Sequence, residues 1–212
     1  MTRFPDIEWD PEDYDNWYKE EPGRTIDLIE TDCVLSLLFP INGRKVLDVG
    51  CGTGNFTKKL SCLGFDVIGL EPDDEMREKA LKKELKCVKG VAEDIPFEDN
   101  TFDAAISVAA IEFFEDKLKA LNEMLRVVKK GGKVLIGTIT GNWARYYEKL
   151  GKDGHKIFSY AKFPSIEELS RHPDFEKIKF CLRTPPNEIP SFDSERTINE
   201  AGFAVLLFRK WS

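Results

Sequence analysis

The chain has 212 residues, of which 31 are basic and 38 acidic, and this leaves a formal net charge of −7 at pH 7. That length fits one α/β domain and can bury a core without cross-links. The negative charge disfavours a nucleic-acid partner, because its field repels a phosphate backbone. The N-terminus is acidic and aromatic, and no apolar run reaches 18 residues, so we expect a cytoplasmic protein that has no secretory signal and no membrane partner.

The cysteine and histidine content argues against disulfide and metal chemistry. The cysteines are scattered and form no CxxC pair, so we expect reduced thiols at Cys33, Cys51, Cys62, Cys87 and Cys181. The two histidines, His155 and His172, have no partner at metal-ligand spacing, and no metal is expected. The motifs HExxH, GxSxG and GK[ST] are absent, which excludes the common zinc, hydrolase and nucleoside-triphosphate classes.

Strand-like apolar runs alternate with helical runs, which indicates βαβ units. Apolar spacing predicts a leading helix over residues 25–39 that ends at Pro40. Further helices are predicted near 55–63, 73–84 and 116–129, and strands at 45–49, 65–70, 86–89, 102–108 and 133–139. Sheets of this kind are parallel and covered by helices on both faces. The sequence therefore predicts a single, doubly wound α/β domain with a Rossmann-like sheet.

The pattern changes after Gly141. A helix-like aromatic stretch at 142–150 and a short helix from Ser165 to about Arg171 indicate a lid-like insertion over about 141–172. Strand-like runs at 175–183 and 201–210 flank a Pro-rich connection and are expected to pair antiparallel at one sheet edge. The sheet would then have seven strands, mostly parallel. The N-terminal cap and leading helix would occupy 1–40, and the core 41–212.

The most informative segment is a glycine turn after the first predicted strand, VLDVGCGTG over residues 46–54. Gly50, Gly52 and Gly54 can adopt positive φ and let a ligand touch the backbone. In open α/β sheets, ligands bind beyond the carboxyl ends of the strands. A turn that needs glycine only for packing is the simpler alternative, but three alternating glycines after Asp48 favour a ligand site.

A dinucleotide site would also follow a first strand, so the glycine spacing decides between ligands. Counted from Gly50, GxGxxG requires glycine at Asn55, and counted from Gly52 it requires glycine at Thr57. The pyrophosphate pattern is therefore absent. A GxGxG turn after Asp48 suits a ligand that carries an ammonium and a sulfonium, since a nearby carboxylate can pair with the ammonium.

Two further acidic segments follow the next strands. Glu71 lies at the tip of the second strand, where its carboxylate could accept both hydroxyls of a ribose, although a capping or loop role is an equal alternative. After the third strand, Glu93 and Asp94 could bond an adenine amino group while Ile95 packs on the ring. In isolation, that segment is also typical of a polar turn.

Together these segments resemble the SAM-dependent methyltransferases of the UbiE and general small-molecule type, from about Tyr14 to Phe208. The stretches VLDVGCGTGNF, GLEPDDEM, AEDIPFEDNTFDAAIS and LRVVKKGGKVLIG carry the resemblance. It implies S-adenosylmethionine (SAM) as cofactor, S-adenosylhomocysteine as product and a small-molecule acceptor. The cofactor residues it implies are Asp48, Gly50, Cys51, Gly52 and Gly54 around the methionine part, Glu71 and Pro72 near the ribose, Met76, Ala92, Glu93, Asp94 and Ile95 in the adenine region, and Ser107 and Val108 beneath the sulfonium.

The acceptor side is less well defined by the resemblance. The segment YDNWY at 14–18 resembles a lead-in that many relatives fold over the cofactor, or else it is an aromatic staple for the leading helix. Residues 109–114, AAIEFF, replace the histidine or Cys-Phe pair of many relatives, so no catalytic role is carried over. If the acceptor must lose a proton, the candidate bases are Tyr18, Glu112, Tyr146 and His155.

The aromatic stretches at 142–147 and 158–163 resemble a variable lid of some relatives, or fill a small satellite core. Three other functions remain open at this point: a macromolecule methyltransferase, a dehydrogenase and a non-catalytic SAM-binding protein. The sequence leaves both the acceptor and the oligomeric state undefined.

Overall fold

The computed structural model describes residues 10–21, 23–141, 143–145, 149, 160–181 and 202–211. The strands are β1 (Lys45–Val49), β2 (Asp66–Leu70), β3 (Cys87–Val88), β4 (Phe102–Val108), β5 (Val128–Ile139), β6 (Phe175–Cys181) and β7 (Phe203–Arg209). The helices are α1 (Pro11–Trp17), α2 (Gly23–Leu38), α3 (Asn55–Cys62), α4 (Asp74–Lys82), α5 (Lys117–Val127) and α6 (Ile166–Ser170), with a 3₁₀ turn at Ile111–Phe113.

The seven strands form one sheet in the order β3-β2-β1-β4-β5-β7-β6. Strands β1 to β5 are parallel, whereas β7 runs antiparallel between β5 and β6. The predicted fold and its antiparallel edge are therefore confirmed. The strand order reverses between β1 and β4, and in open α/β sheets ligands bind beyond the carboxyl ends of the strands at such a point.

Consecutive strand residues point to opposite faces, and both faces of this sheet are buried. Leu47 of β1 belongs to a core that α5 covers with Leu121 and Met124. Its neighbour Val46 belongs to a second core, which α2 and α3 cover from the other face. Burial on both faces explains why the central strands are continuous apolar runs rather than alternating ones.

Three elements differ most from the sequence prediction, whereas most other ends differ by at most one or two residues. Strand β5 begins at Val128, directly after α5, because the charged glycine run stays in the sheet through a bulge opposite β4. Strand β3 has two residues. Helix α1 was not predicted, although its start follows ordinary rules: Asp10 caps the amides of Glu12 and Asp13, and Pro11 is the first helical residue.

The expectation of reduced thiols throughout is wrong. Cys33 on α2 and Cys181 on β6 form a disulfide, with their Cα atoms 6.5 Å apart. The two cysteines are separated by 148 positions, so the spacing gave no indication that the fold brings them together. Cys51, Cys62 and Cys87 are free thiols, as expected.

The insertion after β5 is described in part. Residues 141, 143–145 and 149 are helical, and α6 agrees with the short helix predicted near Ser165. Trp143 and Phe163 pack against the core on the α2 face, which supports the core-filling alternative for these two aromatics. Tyr146, His155 and the predicted strand residues 182, 183 and 201 lie outside the described residues. No helix within the described ranges is long and apolar enough to span a bilayer.

Candidate cofactor site

The glycine turn after β1 is attached to the end of β2. The amides of Gly50 and Cys51 both donate to the carbonyl of Leu70, at 2.8 and 3.2 Å. Gly50, Gly52 and Gly54 have φ values of 73°, 55° and 86°, in the region that favours glycine. Asn55 then begins α3, so the turn presents backbone amides and a helix N-terminus at the carboxyl edge of the sheet.

The three glycines serve different purposes. A Cβ on Gly50 would lie 2.6 Å from the Cβ of Ala110, and one on Gly54 would overlap Leu85. The same atom on Gly52 would meet nothing nearer than the ring of Tyr14, at 3.9 Å. Packing therefore explains why glycine is required at Gly50 and Gly54, whereas the open space at Gly52 leaves room for a ligand to approach the backbone.

This difference gives a matched pair of variants. Gly50→Ala is expected to destabilise the protein by roughly 2 to 5 kcal/mol, because the cost of placing alanine in a left-handed conformation adds to the cost of the steric overlap. Gly52→Ala carries only the backbone cost of about 1 to 2 kcal/mol, yet it should weaken ligand binding. Urea unfolding and calorimetric titration separate the two effects. Equal destabilisation by both variants would contradict the assignment.

Two buried carboxylates flank the turn. Asp48, 2% exposed at the end of β1, accepts a hydrogen bond from the Thr57 hydroxyl at 2.6 Å. Burial raises the pKa of Asp48 to about 6. Glu71, at the tip of β2, accepts the amides of Gly52 and Asp73 at 2.8 and 2.9 Å, and burial raises its pKa to about 7. Both groups lack a cationic partner among the described residues, which suits ligands that carry an ammonium and hydroxyl donors.

Helix α1 covers the turn. A small cavity lies between them, lined by Tyr14, Tyr18, Asp48, Gly50, Cys51, Asn55, Phe56 and Val108. The hydroxyls of Tyr14 and Tyr18 are 3.0 Å apart, and burial raises the pKa of both. The structure thus brings four predicted cofactor residues and the candidate base Tyr18 to one cavity.

The contacts that hold α1 in place were not predicted. Asp15 of α1 accepts the hydroxyl of Thr53 at 2.5 Å and forms an ion pair with Lys83 at 2.8 Å. Lys83 also donates to the carbonyl of Thr53 at 2.9 Å. Asp15 lies in the YDNWY segment that resembles a lead-in over the cofactor, but nothing in the sequence indicated Lys83, 68 positions away, as its partner.

The adenine side is assembled as expected only in part. Met76, Ala92 and Ile95 are buried at the carboxyl edge. The side chain of Glu93 has a structural role, since its Oε1 accepts hydrogen bonds from the amides of Glu115 and Asp116 at 2.7 and 3.2 Å. Asp94 is exposed, and Pro72 is half-buried. Contact of these residues with adenine stays a prediction. The exposed carboxylate of Asp94 is more accessible to a ligand than that of Glu93.

The carboxyl end of β4 carries two unsatisfied buried groups. Within the part of the chain that the structure describes, the hydroxyl of Ser107 and the Oε2 of Glu112 are buried without a hydrogen-bond partner. Between them, Ala109 has a φ of 50°, a strained value for a residue with a side chain. Buried polar atoms without partners are rare, and each calls for a ligand or a functional explanation.

A thiol pair also lies near the turn. The Sγ atoms of Cys51 and Cys87 are 3.3 Å apart, and this contact together with burial raises the pKa of the Cys51 thiol. Cys51 therefore packs its side chain toward β3, and the residue also lines the cavity beside the turn.

The reversal of strand order, the GxGxG turn with Asp48, and Glu71 at the next strand define a Rossmann-like enzyme that binds an adenosyl cofactor. A family model described as "Methyltransferase domain" matches residues 47–136. An uncharacterised protein from Methanocaldococcus jannaschii is 30% identical over 207 residues, which cover 94% of this chain and 96% of that protein. The ubiquinone/menaquinone biosynthesis C-methyltransferase UbiE from Idiomarina loihiensis is 37% identical over 189 residues, 79% of this chain and 73% of that protein.

Among solved structures, a SAM-dependent methyltransferase from Thermotoga maritima, described as a possible histamine N-methyltransferase, is 32% identical. The match covers 94% of this chain and 95% of that one, with a TM-score of 0.76. The chain belongs to the class I SAM-dependent methyltransferases of the UbiE-like type. It is a methyltransferase with SAM as cofactor, and the enzyme class and cofactor predicted from the sequence are confirmed.

Proposed function

We propose that this methyltransferase acts on a small-molecule acceptor. The observation that carries the proposal is the covered site: α1 lies over the glycine turn and places Tyr14 and Tyr18 against the cavity beside Val108. A pocket enclosed in this way suits a small ligand better than a protein or RNA segment. The acceptor would lie at the carboxyl ends of β4 and β5, beside α1.

The residues of the site would bind and align the reactants. SAM, when bound, supplies an electrophilic methyl group on a sulfonium. Asp48 would pair with the ammonium of the cofactor, and Glu71 would accept its ribose hydroxyls. Tyr14 and Tyr18 would exclude water, and alignment for attack can supply roughly 7 to 11 kcal/mol of the barrier.

Two measurements test the proposal. Calorimetric titration with SAM, S-adenosylhomocysteine and NADH should show binding of both adenosyl ligands and none of NADH. Incubation with methyl-labelled SAM and cell extract should then place the label in the ultrafiltrate, with little in protein or RNA. Label that stays with macromolecules would overturn the small-molecule acceptor, and SAM binding without any transfer would indicate a non-catalytic protein.

The raised pKa values predict a pH dependence of SAM binding. Below about pH 6 for Asp48 and about pH 7 for Glu71, these carboxyls are protonated in the free protein, so Asp48 cannot pair with an ammonium and Glu71 accepts hydroxyl donors less strongly. SAM affinity should therefore fall as pH decreases, by up to about tenfold per unit for each group. The stability of the free protein should change in the opposite direction. Carboxyls with a raised pKa stabilise the folded state at low pH, and this contribution is lost as pH rises to about 7.

Calorimetry in two buffers of different ionisation enthalpy measures both the affinity and the protons released on binding. Affinity that stays constant across about pH 5 to 8 would show that neither carboxylate contacts the cofactor.

A further inference from the structure

Glu112 is a buried carboxylate with one occupied and one free oxygen. It lies in the 3₁₀ turn after β4 and is 2% exposed. Its Oε1 accepts the hydroxyl of Thr138 at 2.7 Å and the amide of Ile139 at 2.9 Å. These two bonds fix the side chain across the carboxyl ends of β4 and β5. Its Oε2 is buried and has no hydrogen-bond partner among the described residues.

The surrounding charges do not satisfy this oxygen. Lys117 is the cation that acts on Glu112, but its ammonium donates to the carbonyl of Phe114, at 3.0 Å. Lys162 contacts Glu112 through backbone atoms, since its amide donates to the Glu112 carbonyl at 2.7 Å. A buried carboxylate oxygen without a donor is costly, so this arrangement needs either a bound proton or a ligand that donates one.

Glu112 follows the end of β4, and the last residue of that strand lines the cofactor cavity. Val108, four residues earlier, lines the same cavity as Asp48 and the glycine turn. Ala110 packs against Gly50. Residues 108 to 112 therefore run from the cofactor turn to the end of β5, and the carbonyl of Glu112 contacts the segment that leads from the insertion into α6. Glu112 therefore contacts the end of β5 through its side chain and Lys162 through its carbonyl.

We propose that the acceptor is a small amine and that the free Oε2 of Glu112 accepts a hydrogen bond from its amino group. This inference rests on the proposed small-molecule function and narrows its substrate class. An amino group supplies the missing donor and, when protonated, the missing positive charge. When Glu112 is ionised, a thiolate, phenolate or carboxylate acceptor would instead place a second negative charge beside it, which is unfavourable.

The same geometry accounts for the proton that must leave. The new N–C bond uses the lone pair of a neutral amine, and the electron pair of the broken S–C bond stays on sulfur. The methylated ammonium then loses one proton, which the Oε2 of Glu112 can accept and pass to solvent. Glu112 would thus bind the acceptor and take its proton without leaving the bonds from Thr138 and Ile139.

The test follows the charge of the labelled product. Wild-type protein is incubated with methyl-labelled SAM and an ultrafiltered extract, and products separated from residual SAM are divided into cationic, neutral and anionic fractions. We expect the label in the cationic fraction. Glu112→Gln keeps an acceptor for Thr138 and Ile139 but removes the charge, so it should lower that label by roughly 10- to 100-fold while SAM affinity is unchanged.

A matched control is Asp103→Asn at the opposite ends of the strands. Asp103 accepts the amides of Arg44 and Lys45 at 2.9 and 2.8 Å, so its loss should lower stability without changing the product class. Label in neutral or anionic products, or full activity of Glu112→Gln, would overturn the amine assignment and leave the small-molecule function standing. An ultrafiltrate that takes up no label at all overturns the proposed function, and this inference with it.

Discussion

Replacing Glu71 with alanine is expected to weaken SAM binding by about 100-fold or more. The carboxylate orders the cofactor side of the turn, because it accepts the amides of Gly52 and Asp73. It is also the group predicted to accept the ribose hydroxyls. Hydrogen bonds to a charged group contribute about 1.5 to 3 kcal/mol each, and losing two of them corresponds to a factor of at least 100.

The control for this variant lies on the same strand. Asp66 begins β2 at the opposite edge of the sheet, where its half-exposed carboxylate pairs with Lys86. Asp66→Ala should leave the affinity for SAM unchanged, as measured by calorimetric titration under identical conditions. If Glu71→Ala bound SAM as tightly as Asp66→Ala, Glu71 would be a loop carboxylate, and the ribose assignment would be wrong.

The central strands and the cofactor turn were predictable because local rules act there without competition. Strands β1 and β4 have the predicted bounds, since each is a mainly apolar run buried on both faces. The turn was predictable from the ability of its glycines to adopt positive φ. The start of β5 was missed because a run of lysines and glycines is typical of a loop, whereas in this fold its backbone continues the ladder with β4.

Side-chain partners were the part that sequence reasoning could not supply. Glu93 matched the motif for an adenine contact, yet its carboxylate accepts amides at the start of α5, which only the folded chain brings near. Glu112 was a candidate base by residue type alone. Its free oxygen became visible only once Thr138 and Ile139, more than twenty residues away, were seen to occupy the other one.

Three buried carboxylates, Asp48, Glu71 and Glu112, lie at one edge of the sheet, and burial raises the pKa of each. Carboxyls in such surroundings lower the stability of the free protein at neutral pH, because ionising them in a dry environment is costly. Ligands that bring an ammonium, hydroxyls and an amine would remove that cost. The same groups that weaken the empty site therefore increase its affinity for reactants of this kind.

Removing the disulfide between Cys33 and Cys181 is expected to lower the free energy of unfolding substantially. Cross-links of this type contribute roughly 2 to 5 kcal/mol, and a sequence separation of 148 residues places this one toward the upper end, because longer loops lose more entropy when closed. The bond joins α2 to β6, beside a polar contact at 2.7 Å between Lys179 and Ser36. That contact cannot replace the stabilisation from the disulfide, since half-exposed polar pairs contribute little to the free energy of unfolding.

Guanidinium unfolding of the wild type with and without reductant measures this contribution, and the Cys33→Ser/Cys181→Ser double variant should match the reduced protein. The control is Cys62→Ser, since Cys62 is an exposed free thiol and its replacement should leave the midpoint unchanged. The disulfide holds β6, an edge strand that three strands separate from β1 and its glycine turn, so we expect the folded double variant to bind SAM normally. A wild-type midpoint that reductant does not move would show that the two thiols are not joined in solution.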